Sequence, residues 1–192
     1  MSLLNATTSF FVVKCCSIDS TNCPVMTWLH PTSSNLMRFQ DGSSANFGPQ
    51  LFMEHNVVLV SVNYRLGPFG FLSFDDDHAP GNLGLRDQAL ALEWIKAEAE
   101  NFCGDPQKIT LFGSGFGGTS ALLQMISPLN HGKKLMRNVI SQSGSLAKID
   151  VANAFLPARR EFAQSLAKNV GCKSTKVRLC KVCLSRYLQR NF

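Results

Sequence analysis

One short stretch narrows the fold more than any other: Thr110-Leu111-Phe112-Gly113-Ser114-Gly115-Phe116-Gly117-Gly118. An apolar run enters a glycine-dense turn and leaves it as a helix-compatible segment, so the stretch reads as strand, sharp turn, helix. Gly113, Gly117 and Gly118 present no side chain where a helix must lie close to the strand it follows. In a G-x-S-x-G turn of this kind the third position lifts a serine hydroxyl to the upper edge of a sheet. Here that position is Gly115, between Ser114 and Phe116. The turn is preserved, and the oxygen that would attack a carbonyl is absent.

The flanking pattern extends this into an α/β fold with a mostly parallel central sheet flanked by helices. Val25 to His30 is a short apolar strand, and Asn56 to Asn63 has the near-continuous Val and Leu content of a strand buried on both faces. Between them, Pro31 to Gly48 is rich in Ser, Asn and Gly and reads as loop. Leu85, Ala89, Leu92 and Ile95 recur at helical spacing within Leu83 to Asn101, with Trp94 as a large anchor. Gly104-Asp105-Pro106 ends that helix ahead of a strand from Ile109 to Phe112. A helix from Gly117 to Ile126, a strand from Val139 to Gln142, and helices around Pro157 to Val170 and Thr175 to Leu188 complete the alternation, which implies right-handed crossovers. Residues 1–23 read as an irregular lead-in and residues 24–192 as one domain.

Several further motifs sit around the turn in a fixed order: Ser61-Val62-Asn63-Tyr64-Arg65-Leu66-Gly67-Pro68-Phe69-Gly70-Phe71-Leu72, Ala79-Pro80-Gly81-Asn82-Leu83-Gly84-Leu85-Arg86-Asp87-Gln88, Gly104-Asp105-Pro106 and Ser141-Gln142-Ser143-Gly144. Together they resemble the type-B carboxylesterase and cholinesterase family, and the likeness runs from Pro24 to the C-terminus. The resemblance implies part of an α/β-hydrolase fold. It also implies the N-terminal-middle part of that family's much longer domain, before the regions that carry the triad acid and histidine. A fragment, a truncated gene model and a short splice form are the alternatives this leaves open. A sheet cut there would expose apolar faces. A serine-free elbow within this family looks like neuroligins, which are adhesion proteins, and like other non-catalytic relatives.

Ester hydrolysis needs a nucleophile, a base with its orienting acid, and donors aimed at the developing oxyanion. Active relatives have a His-Gly-Gly-Gly type loop after the first core strand, where this chain reads His30-Pro31-Thr32-Ser33-Ser34. Pro31 has no amide hydrogen, and Thr32 and Ser33 disfavour the positive φ open to glycine. The resemblance thus implies two separate departures, at Gly115 and at this loop. Ser114 is one residue away from the elbow position, and its side chain is expected to project in another direction. Ser143 and Ser145 read as structural. His30, at the end of a core strand, reads as a hydrogen-bonded structural residue, and His55 and His131 sit in polar turns. Asp75-Asp76-Asp77-His78 reads as a solvated acidic loop, because it lacks the glycine and spaced ligands of an EF-hand. Arg65 and Asp87 are candidates for a buried charge pair beneath the site floor.

Seven cysteines are present. Cys172 and Cys183 match the short-loop disulfide of cholinesterases and neuroligins, which implies an oxidising, secretory compartment. Cys180 competes for pairing, and Cys180-x-x-Cys183 leaves zinc ligation as an alternative, without a second ligand pair at suitable spacing. No cofactor or metal is called for. The net charge of +6 hides an asymmetry: residues 1–130 carry six Lys or Arg against eleven Asp or Glu, and residues 131–192 carry thirteen against two. The basic C-terminal part reads as a solvated face, since no nucleic-acid fold signature accompanies it. No apolar run has the length of a transmembrane helix or of a secretory signal core. Asn5-Ala6-Thr7 is the N-glycosylation sequon.

These features predict a catalytically inactive carboxylesterase-like domain, secreted or on the outer face of a membrane, whose partner is a cell-surface or extracellular protein. One alternative is a carboxylic ester hydrolase acting on a small-molecule ester, supported by the likeness of Asn46 to Met53 to loops of active esterases. The other is a fragment without independent function.

Overall fold

The structure is a computed structural model that describes residues 10–14, 22–31, 48–52, 54–74, 76–77, 80–146, 158–172, 182–183 and 186. Five strands form one sheet in the order β1-β3-β2-β4-β5, with β1 at Phe10–Lys14, β2 at Cys23–Leu29, β3 at Val58–Val62, β4 at Gly104–Ser114 and β5 at Asn138–Gln142. Four of them run parallel: Val25 pairs with Val58 on one side and Ile109 on the other, and Leu111 pairs with Val139. Helices α1 at Gly67–Phe71 and α2 at Leu83–Glu98 link β3 to β4, α3 at Phe116–Ile126 links β4 to β5, and α4 at Ala158–Asn169 follows β5.

The expected parallel α/β sheet is therefore present, with one correction at its edge. The lead-in is not irregular throughout: Phe10 to Lys14 pairs antiparallel with β3, from Phe10 opposite Val62 to Lys14 opposite Val58. Its Phe-Phe-Val-Val core is strongly strand-favouring once an edge is offered to it, and Val12 packs against the main core. Asn5, Cys15 and Cys16 lie outside the described residues, as does most of the Thr175 to Leu188 helix. Other boundaries moved outward: β4 begins five residues before Ile109, and α3 begins one residue earlier, at Phe116.

Strand alternation divides the sheet's two faces. Val25, Leu29, Ile109 and Leu111 meet Leu92 and Ile95 of α2 and Ala121 of α3 in a single buried cluster. On the other face Trp28 lies 4.9 Å from Phe112, and Phe52 lies 6.0 Å from the same ring. Every residue of β3 is buried, as its unbroken apolar run implies. A second cluster joins Phe74 to Ala163 and Ala167, spaced one helical turn apart on α4, and to Cys172.

Cys172 and Cys183 form a disulfide with a Cα–Cα separation of 5.9 Å. That bond takes Cys183 out of the zinc alternative with Cys180. Cys23 is also disulfide-bonded, and Cys103 is the free cysteine among the described residues. Among the described residues, Met125, Ile126, Leu129 and Ile140 at the end of α3 and on β5 are exposed apolar side chains, as are Leu51 and Phe162 elsewhere.

The link between β3 and α2 is an ion pair. Arg65 Nε donates to Asp87 Oδ2 at 2.7 Å, its second guanidinium nitrogen to Oδ1 at 2.6 Å, and the Arg65 backbone N–H to Oδ2 at 3.1 Å. Asp87 is nearly buried, whereas the Arg65 side chain keeps 31% of its surface. The carboxylate raises the Arg65 pKa by accepting these bonds. Asp87→Ala strands the guanidinium and an amide together, so we expect a loss of about 2–3 kcal/mol, below the range for a fully buried pair because Arg65 reaches solvent. Urea denaturation measures it. By the same method, Cys172→Ser with Cys183→Ser is expected to cost about 2–3 kcal/mol, from release of a short closed loop in the unfolded chain.

Candidate functional site

The site is built where β4 ends. Ser114 is the last residue of that strand, paired with Gln142 of β5, and α3 begins at Phe116. Gly115, alone between them, has φ 55° and ψ −122°, a conformation that L side chains rarely adopt. Its N–H donates to the Gln142 carbonyl at 2.8 Å, and its carbonyl accepts from the Thr119 N–H at 3.0 Å, which starts the helix. Held on both sides, the residue sits at the apex of a strand-to-helix elbow.

The space around the apex is uneven. Among the described residues, a Cβ added at Gly115 would meet nothing within 4 Å, so this position faces open space there. A Cβ added at Gly117 would come within 2.2 Å of the Leu29 carbonyl oxygen and 2.9 Å of that of His30. Gly113 and Gly118 crowd the same crossing, as their sequence positions imply. The glycines that permit close approach are therefore distinct from the glycine at the apex, which is under no such steric demand.

Neighbouring groups brace the turn. Ser141 Oγ donates to the Gly144 carbonyl at 3.1 Å, and the Ser145 backbone N–H donates to Thr119 Oγ1 at 3.3 Å. Ser143 is exposed and takes a positive φ of 55°, so this serine also occupies a turn. Beneath the elbow His30 is buried, its ring stacked 4.6 Å from that of Tyr64, whose hydroxyl donates to the His30 carbonyl at 3.1 Å. Burial pushes the Tyr64 phenol pKa well up, which keeps it a neutral donor. His30 is thus a structural residue under the site. Its Nδ1 lies 3.3 Å from the Pro31 carbonyl, while Thr32 and Ser33 lie outside the described residues, as does His78.

Sequence reading missed a polar chain behind α3. Gln124, fully buried, donates from Nε2 to the Leu85 carbonyl at 2.8 Å and to Gln88 Oε1 at 3.0 Å. Asn130 Nδ2 in turn donates to the Gln124 side-chain and backbone oxygens, both at 2.8 Å. These amides tie α3 to α2 and to the turn after it. The one signal available is a Gln within the apolar run from Ala121 to Ile126 that ends α3. Among the described residues no three His, Cys, Asp or Glu side chains group as metal ligands.

An apex at positive φ between a central parallel strand and a helix, with further glycines where the helix crosses the strands, defines an α/β-hydrolase elbow. Residues 10–191 match the sequence profile of the carboxylesterase family, and the chain belongs to that family. It is 43% identical over 149 residues to venom carboxylesterase-6 of Apis mellifera, covering 77% of this chain and 24% of that protein. It is 40% identical over 172 residues to bile salt-activated lipase of Mus musculus, covering 86% and 27%. Among solved structures, the juvenile hormone esterase of Manduca sexta with OTFP covalently attached superposes at a TM-score of 0.69 and 27% identity, over 86% of this chain and 30% of that one. The chain spans about a quarter of the length of the curated relatives it matches.

The unequal space around the two glycines gives a direct test. Gly115→Ser adds a side chain into open space and carries only the backbone strain, about 1–3 kcal/mol. Gly117→Ala drives a methyl group into a strand carbonyl and is expected to cost more than that, with loss of a cooperative transition as the extreme. Paired denaturation curves that show equal costs would contradict this account of the elbow.

Proposed function

We propose that this is a carboxylesterase-family domain that keeps the hydrolase scaffold, lacks serine-hydrolase chemistry and serves to recognise another protein. The observation that carries the reading is Gly115: the elbow's apex has its positive-φ backbone and its open space, and no side-chain oxygen. Glycine adopts this backbone conformation without the strain a side chain would bring, and β4, β5 and α3 pin the turn through the bonds of Gly115 itself. Pro31 supports the same reading, since a residue without an N–H at the start of the oxyanion loop removes one possible donor. Loss of a single such donor typically lowers turnover ~10²–10³-fold.

The partner proposed is a cell-surface or extracellular protein, and the setting is the secretory route. Support comes from the Cys172–Cys183 disulfide and the bonded Cys23, which suit an oxidising compartment. No helix among the described residues is long and apolar enough to cross a membrane. A neuroligin-like adhesive role is the form of recognition that fits a scaffold whose loops are free of catalytic demands.

A second reading rests on the relatives, which bear the names of esterases and lipases. In it the chain belongs to a carboxylic ester hydrolase, and Ser114 is the serine next to the apex in sequence. Reaction with a fluorophosphonate probe separates the two. The native chain is expected to remain unlabelled and to hydrolyse p-nitrophenyl acetate no faster than the heat-denatured protein. Covalent labelling mapped to Ser114 would establish the enzymatic reading instead.

A further inference from the structure

At the far end of α3 from the elbow, roughly 15 Å away along the helix axis, the turn into β5 encloses a half-open cleft of about 680 Å³. Its apolar surface comes from Ile126, Leu135, Met136 and Val139. Leu135 is buried in the main core, whereas Ile126 keeps 59% of its surface. The cleft is therefore anchored to the rigid part of the fold and open to solvent on one side. Its size falls within the ~300–1,000 Å³ of small-molecule sites.

The polar residues on its rim are cationic. His131, Lys134 and Arg137 line the cleft, all exposed, and no carboxylate lines it among the described residues. Nearby lysines are paired: Lys133 with Glu93, and Lys108 with Asp105 at 3.0 Å. Lys134 and Arg137 form no ion pair among the described residues. Asp105 is the carboxylate that Arg137 feels, and it is already engaged by the Gln107 N–H and by Lys108. Lys96 adds another positive charge, its ammonium directed at the Lys133 and Lys134 carbonyls. An apolar trough with a cationic rim and no carboxylate lining it among the described residues complements one ligand shape: a hydrocarbon chain that ends in an anion.

We propose that this cleft binds a single-chain amphiphilic carboxylate, with its chain along Ile126, Leu135, Met136 and Val139 and its head group on Arg137 and Lys134. Arginine's planar fork suits a carboxylate, and a neighbouring ammonium adds charge without demanding geometry. The site is separate from the elbow, so its occupancy does not depend on the chemistry at Gly115.

Dodecanoate below its micelle concentration, titrated into the 192-residue chain carrying 13C-methyl methionine, tests the proposal. The expected result is saturable binding that shifts the Met125 and Met136 methyl signals and leaves Met26, on β2, unmoved. Uncharged dodecyl maltoside and acetate should produce no such shifts. Lys134→Glu with Arg137→Glu is expected to weaken dodecanoate at least tenfold while the thermal melt stays that of the parent. Lys134→Gln with Arg137→Gln answers the same question should the reversed charges disturb folding. Equal binding of dodecyl maltoside, unchanged affinity in the charge variants, or an absence of shifts at both cleft methionines would overturn it.

Discussion

The backbone of Gly117 lies against the carbonyl of Leu29, and the position of α3 on the sheet follows from that contact. With a Cβ there 2.2 Å from a strand oxygen, no other residue permits the helix to start so close to β2. From this crossing Ala121 reaches the main core, Gln124 reaches α2, and the helix axis is aimed past β5. Interiors pack too densely to absorb a shift of an ångström at such a point. The elbow is thus a consequence of packing as much as a device for chemistry, which explains how it survives with glycine at its apex.

Polar ties complete the arrangement in places where apolar packing alone would leave the helices free to slide. Arg65 and Asp87 join the end of β3 to the start of α2, Tyr64 joins the same loop to the end of β2 through the His30 carbonyl, and Gln124 with Asn130 joins α3 to its neighbours. Each tie has a specific length and direction, and each would leave a buried group unsatisfied if the elements moved. The hydrolase scaffold is held by bonds that need no catalytic serine.

The two ends of α3 differ in kind. At its N-terminus the chain is crowded by backbone, closed by hydrogen bonds and held at positive φ at one residue. At its C-terminus the chain opens into a solvent-facing cleft where apolar and cationic side chains stand side by side. Helix and strand run antiparallel between them, so the two regions share a rigid support without sharing residues.

Much of the architecture was legible before any coordinates. The strand, glycine turn and helix around Gly115, the strand-helix alternation, the Arg65 and Asp87 pair and the structural role of His30 are all set by local pattern or short motifs, because glycine spacing and apolar period act over a few residues. The strand at Phe10 to Lys14 was read as irregular, since five strand-favouring residues become a strand only when an edge such as β3 is available. The engagement of Cys23, the amide chain from Gln88 to Asn130, and the gathering of Lys134 and Arg137 beside an apolar trough also escaped notice. The amide chain depends on residues far apart in sequence meeting at a distance of a few ångströms, and the cationic trough on how the turn between Ile126 and Val139 folds back on itself. The sequence by itself determined that the apex of the elbow is a glycine and that helices cover a parallel sheet. Only the tertiary structure decided that the apex faces open space while Gly117 does not, because that difference lies in the atoms of another strand.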